Sequence, residues 1–116
     1  MDFSLTKSQQ MLVKGMREFL TKKFDKQYFR DLDEQKKWPH EVLEGLGELG
    51  YIGISVPEEY DGYGGDSLDT TLCIEEAARS MGGPAMAYFT TCCFGCHAIT
   101  LFGTEEQKRE ILPLLL

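Results

Sequence analysis

Large apolar residues Leu12, Met16, Phe19, Leu20 and Phe24 follow one another at spacings of four, three, one and four, while Lys14, Arg17, Glu18, Lys22 and Lys23 fall outside that series. On a helix this spacing makes a single apolar stripe. Ahead of it, Thr6-Lys7-Ser8-Gln9 has the form of a capping box, in which a hydroxyl and an amide satisfy exposed backbone N–H groups. A first helix is therefore predicted from Thr6 to Phe24. Residues 25 to 37 are dense in charge, with Tyr28, Phe29 and Leu32 as apolar anchors, which suggests a short second helix and a connector. Pro39 suits a first helical turn, where its missing N–H would be unpaired anyway. Val42, Leu43, Leu46 and Leu49 continue one face, and Gly50 supplies a left-handed stop to this third helix.

Tyr51 to Val56 is a short apolar run compatible with strand or turn, and Pro57 to Asp66 is so crowded with turn residues that it must be a loop. Leu68, Leu72, Ala78 and Met81, flanked by Ile74 and Ala77, predict a fourth helix ending near Gly82-Gly83. From Ser80 through Thr104 there is no formal charge, and Ala85 to Phe102 carries apolar residues around every side of a helical projection. That pattern predicts a helix buried all round. Its length raises the question of a membrane. Thr90, Thr91, Gly95, His97 and Thr100 interrupt it, and no basic flank fixes an orientation, so a soluble core helix is the better reading. Gly103 closes it, and Thr104-Glu105-Glu106-Gln107 is a second capping box opening a last helix through Ile111 and Leu112. The fold class is all-α, a bundle of about six helices around a buried uncharged one.

The chain of 116 residues has the length of one domain. Twelve Lys and Arg against 19 carboxylates give a net charge of −7, which repels phosphate backbones and anionic lipid surfaces alike. Neither a nucleic acid nor a membrane is an expected partner. With 42% hydrophobic residues, 11% aromatic ones and only four prolines, the composition is that of a folded globule. The segment Met1-Asp2-Phe3-Ser4-Leu5 lacks the basic stretch and apolar run of a secretory signal, pointing to the cytoplasm. Cys73, Cys92, Cys93 and Cys96 crowd into one apolar region, and a reducing compartment keeps them as thiols.

Several local patterns invite chemistry. Cys93-Phe94-Gly95-Cys96-His97 fits the C-x-x-C-H string of covalent haem attachment. It sits without an export signal inside an apolar segment, where small thiols more readily fill a tight helix interface. Adding Cys92 gives a Cys₃His set, but one regular helix cannot close a tetrahedron from ligands so near in sequence, and His40 is far away and exposed. Gly62-Tyr63-Gly64-Gly65 resembles a phosphate-binding loop only in its glycines, because Glu58, Glu59, Asp61 and Asp66 surround it and no lysine follows. The carboxylate pairs Glu58-Glu59, Glu75-Glu76 and Glu105-Glu106 diverge on a helix by about 100° and read as caps and surface, with Glu76 pairing with Arg79 or Ser80. What remains is a pocket wall: Ala87, Thr90, Thr91 and Phe94 share one side of the uncharged helix and leave room for a ligand or for a neighbouring helix.

Four segments stand in a telling order: Trp38-Pro39 with Leu46-Gly47-Glu48-Leu49-Gly50; Pro57-Glu58-Glu59-Tyr60-Asp61-Gly62-Tyr63-Gly64-Gly65; Ile74-Glu75-Glu76-Ala77-Ala78-Arg79; and Gly103-Thr104-Glu105-Glu106-Gln107-Lys108 through Leu112-Pro113. Together they resemble the amino-terminal helical domain of acyl-CoA dehydrogenases across essentially the whole chain. The resemblance implies a flavoenzyme of helical, β and helical domains that holds FAD without a covalent bond. A glutamate of the last domain would take the α-proton of an acyl-CoA thioester while the β-hydrogen leaves as hydride, with some relatives running in reverse as enoyl-CoA reductases. It also implies an electron-transferring flavoprotein as electron partner and a dimer or tetramer as the assembled form.

On that reading residues 1–116 are the first domain, the middle β-domain and C-terminal helical domain are absent from this chain, and the fragment alone is inactive. No catalytic, cofactor-binding or metal-ligating residue is expected in it. The family's long helix before the Gly-Thr-Glu-Glu-Gln segment lines the acyl pocket, and counting back from Gly103 brings Ala87, Thr90, Thr91 and Phe94 to those positions as substrate-binding residues. The alternative from another class is a non-catalytic helical interaction module that docks a partner on the apolar helix.

Overall fold

Helix boundaries follow the capping chemistry. The computed structural model describes all 116 residues and contains six helices and no strand. Thr6 caps α1 (Lys7–Lys22), accepting from the Gln9 N–H at 3.2 Å while the Gln9 side chain accepts from the Thr6 N–H at 3.0 Å. Asp25 caps α2 (Lys26–Glu34) by accepting from the Tyr28 N–H. Pro39 precedes α3 (His40–Glu48), which stops at Gly50 with φ +84°. Asp66 and Asp69 form a capping box at α4 (Ser67–Met81). The apolar helix α5 spans Ala85–Phe102, and Thr104 with Gln107 caps α6 (Glu105–Leu115). Helix α6 runs past the expected end with Pro113 inside it; proline removes one donor, and the helix continues for two further residues.

Tyr51 to Val56 forms turns rather than a strand, with Tyr51, Ile52, Ile54 and Val56 all buried. The loop after it holds a single 3₁₀ turn, Glu58–Tyr60. The backbone passes so close to itself there that a Cβ on Gly62 would run into the Val56 carbonyl. The Tyr60 hydroxyl then donates to Glu105 Oε2 at 2.7 Å, tying the loop to α6.

Helix α1 packs along α4, α4 against α5, and α6 against both α5 and the 3₁₀ turn. The core is shared among Met16 and Leu20 of α1, Val42 and Leu46 of α3, Ile54 and Val56, Cys73, Ala77 and Met81 of α4, Tyr88, Cys92 and Cys96 of α5, and Leu112. Phe19, Phe24, Tyr28 and Phe29 extend it as a cluster of tilted and edge-to-face rings.

Three expectations about burial fail in whole or in part. The molecule is a slab of 42 × 39 × 21 Å, so its thin dimension holds about two helix diameters of roughly 10 Å and no helix can be enclosed on every side. Helix α5 is accordingly not buried all round: 28% of its residues are buried, while Met86, Phe94, Leu101 and Phe102 are exposed. Its length and composition would suffice to cross a membrane, yet its buried stripe is part of the common core. On α4 Ala77 and Met81 are buried as expected, but Thr70, Cys73 and Glu76 complete the inner face, while Leu68 and Ala78 of the expected stripe are exposed. Leu49, the residue just past α3, is exposed as well.

Candidate functional site

The outward side of α5 is where the chain offers something other than its own core. Its central part, Thr90–His97, is wound as a π-helix, a wider coil than the α-helix on either side. The hydroxyls of Thr90 and Thr91 both donate to the Ala87 carbonyl, at 3.2 and 2.8 Å, so both donors are spent within the helix. What these residues offer a neighbour is therefore mainly methyl surface.

The structure divides the four wall residues. Ala87 and Thr90 line a groove of about 420 Å³ whose far side is Leu32, Lys36, Lys37, Trp38 and Pro39. Thr91 is half-buried and lies outside that groove. Phe94 is 67% exposed, and its ring meets Phe89 edge to face with centroids 5.3 Å apart. On the other flank of α5 a cavity of about 300 Å³ is bounded by Phe89, Cys92, Cys93 and His97 together with Ser55, Ser67, Thr70, Thr71 and Ile74. Spacing alone did not reveal this second hollow, because an α-helical projection hides which side a π turn presents.

The cysteines do not converge on an iron or zinc. Cys92 and Cys96 point into the core, Cys93 is half-buried and His97 is exposed. The Cys92 thiol donates to the Ile52 carbonyl at 3.5 Å, and the Tyr88 hydroxyl, in contact with Cys73 and Cys92, donates to the Tyr51 carbonyl at 2.7 Å. Burial pushes the thiols of Cys73 and Cys92 up to about 12 and that of Cys96 up to about 11. Thiols held this far above neutrality are poor nucleophiles, and burial likewise raises Tyr88.

Sequence spacing found Arg79 as a partner of Glu76 but missed the closer one, Arg17 of α1. Glu76, placed on the surface by its neighbours in sequence, is 3% exposed. It accepts from Arg17 Nε at 3.0 Å and from Nη2 at 2.5 Å, with Arg79 Nη1 at 3.7 Å. The Arg17 hydrogen bond, with the charges of Arg17 and Arg79, holds the carboxyl below its ordinary value against the opposing effect of burial.

A flavin dinucleotide needs donors for its phosphates, and the glycine loop has none to spare. The N–H groups of Gly62, Tyr63, Gly64 and Gly65 already donate to the carbonyls of Pro57, Gly53, Val56 and Ile54, at 3.1, 2.9, 2.9 and 2.7 Å. The glycine loop therefore offers a flavin dinucleotide no phosphate cradle.

These features define a class: an all-α domain that packs one face of a long uncharged helix and leaves the other as an apolar wall. The chain belongs to the acyl-CoA dehydrogenase family, matching the family described as "Acyl-CoA dehydrogenase, N-terminal domain" over residues 6–116. It is 36% identical over 115 residues to the probable acyl-CoA dehydrogenase YngJ of Bacillus subtilis, covering 99% of this chain and 30% of that protein. It is 32% identical over 115 residues to the acryloyl-CoA reductase (NADH) of Anaerotignum propionicum, covering 99% and 29%. Among solved structures, a chain from the study of the electron transferring flavoprotein of Acidaminococcus fermentans superposes with a TM-score of 0.87 at 34% identity, covering 99% of this chain and 30% of that one. The chain thus spans about 30% of the length of the relatives it matches. The family is FAD-dependent, and its named relatives include both dehydrogenases and reductases.

Proposed function

We propose that these 116 residues are the first domain of an FAD-dependent acyl-CoA dehydrogenase or enoyl-CoA reductase, followed in the whole protein by a β-domain and a second helical domain. Ala87, Thr90, Thr91 and Phe94 supply one wall of its acyl pocket. The observation that carries this reading is the outward face of α5: it is uncharged, it exposes Met86, Phe94, Leu101 and Phe102, and it belongs to a chain that matches only 30% of its relatives' length. Large apolar side chains exposed along one uncharged helix suit a surface that another element covers. Acyl-CoA would be the substrate, FAD held by the rest of the protein would supply the hydride acceptor, and an electron-transferring flavoprotein would be the electron partner.

The wall's chemistry suits that role. With both threonine donors turned back on Ala87, the surface excludes water from a hydrocarbon chain and offers it no hydrogen bond. This domain holds no group placed to move a proton at the thioester, so it orients substrate and does not turn it over alone. The test is to produce the whole reading frame and look for a yellow protein whose flavin absorption bleaches on adding acyl-CoA. A colourless full-length protein that ignores thioesters refutes the reading. A frame that stops at Leu116, yielding a chain that captures a protein partner, supports the interaction-module reading instead.

A further inference from the structure

Lys26, Arg30 and Asp33 stand at spacings of four and three, and so share one face of α2. That face meets the end of α4 and the Gly82-Gly83 turn around a hollow of about 210 Å³, which Arg79 and Ser80 also line. Three cations thus border it against a single carboxylate, in a chain whose net charge is −7. An adjoining hollow of about 480 Å³ shares Lys26, Arg79 and Ser80 and adds Arg17, so three of the four arginines gather here. Arg17 is committed to Glu76, and Arg79 lies 3.5 Å from Glu75 and 3.7 Å from Glu76. Lys26 and Arg30 have no ion-pair partner, although like charges four apart on a helix repel each other. Two further donors at the hollow are free: the Gly83 N–H bonds to no carbonyl, and the Ser80 hydroxyl does not donate back along α4 as those of Thr70 and Thr71 do.

We infer that this hollow between α2 and the α4–α5 turn binds a phosphate dianion, free or as a small phosphomonoester. Lys26 and Arg30 supply uncompensated charge, and the Arg30 guanidinium presents the planar pair of donors that two phosphate oxygens accept together. The Asp33 carboxylate packs on Gly83, in the place a Cβ would take, and bounds the site on that side. Three cations less one carboxylate leave two positive charges, the complement of a dianion. The apolar residues of the hollow, Phe29 and Met81, are themselves buried, so no open ring face is left for a nucleoside base. The site lies on α2 and α4, apart from the outward face of α5, and does not depend on the acyl-wall reading.

The experiment titrates inorganic phosphate into the full-length protein by calorimetry, at low ionic strength and about pH 8, where phosphate is a dianion. Wild type binds with a Kd on the order of 1 mM, the scale of a few charge-assisted hydrogen bonds set against the cost of association. The double variant Lys26→Gln, Arg30→Gln binds at least about tenfold more weakly. Both side chains are exposed and unpaired, so its circular dichroism matches wild type. Glycerol 3-phosphate distinguishes the sources: affinity equal to that of phosphate assigns the site to esters as well, and affinity for phosphate alone assigns it to the free ion. Phenylglyoxal labelling of wild type, read by peptide mass spectrometry, needs no variant: phosphate slows the modification of Arg30 and leaves that of Arg109 on α6 unchanged. If the double variant fails to fold, this labelling decides. No binding at about ten times the expected Kd, a folded double variant that binds as wild type does, or an Arg30 labelled equally fast with and without phosphate overturns the inference.

Discussion

Glu76 is the only buried charged side chain, and replacing it by glutamine keeps its shape while removing its charge. Three effects set the outcome. Two charge-assisted hydrogen bonds from Arg17 are weakened, at about 1.5–3 kcal/mol for hydrogen bonds to a charged group. Relief from burying a carboxylate offsets part of that loss. Arg17 is half exposed and regains water when its partner is neutral, which keeps the cost from reaching that of a fully enclosed pair. The net expectation for Glu76→Gln is about 2 kcal/mol of lost stability, or a fall of roughly 8 °C in Tm for a domain of this size.

The pair also carries a pH signature. The folded-state pKa of Glu76 lies below the ordinary 4.5, so its contribution is present above 4.5 and drains as pH falls through the lowered folded value. The gap between wild type and variant should therefore be wide at about pH 7 and narrow at about pH 3. Urea unfolding followed by circular dichroism at both pH values measures it. A variant within about 0.5 kcal/mol of wild type at neutral pH, or a gap that does not shrink in acid, refutes the reasoning.

Tyr88→Phe strips the buried Tyr51 carbonyl of its 2.7 Å donor, and unfolding in urea should show a loss of about 1–3 kcal/mol. Gly62→Ala forces a methyl group against the Val56 carbonyl and should cost more than about 2 kcal/mol, read as a lowered midpoint in the same assay. Iodoacetamide at mildly alkaline pH should label Cys93 first, because Cys73, Cys92 and Cys96 are buried and their thiols are held at about 11 to 12; peptide mass spectrometry before and after adding denaturant checks the order. Produced alone, the 116-residue chain should self-associate through the exposed residues Phe94, Leu101 and Phe102, and a sedimentation profile of a clean monomer would contradict this.

By itself the sequence determined whatever depends on neighbours within a few residues. Thr6 and Gln9, and Thr104 and Gln107, are three apart, so their capping boxes were legible, as were the glycine stop at Gly50 and the all-α class, while Tyr51 to Val56 stayed open between strand and turn. The ordered motifs also carried the family. Tertiary structure decided which face of each helix is covered, because that depends on how many layers the domain has. A slab 21 Å thick turns α5 into a half-buried helix and makes Thr70, Cys73, Glu76, Ala77 and Met81 the inner face of α4. The partner of Glu76 was hidden for the same reason, since Arg17 lies 59 residues away and meets it only when α1 packs on α4. The winding of residues 90–97 was likewise outside the reach of spacing rules that assume 3.6 residues per turn.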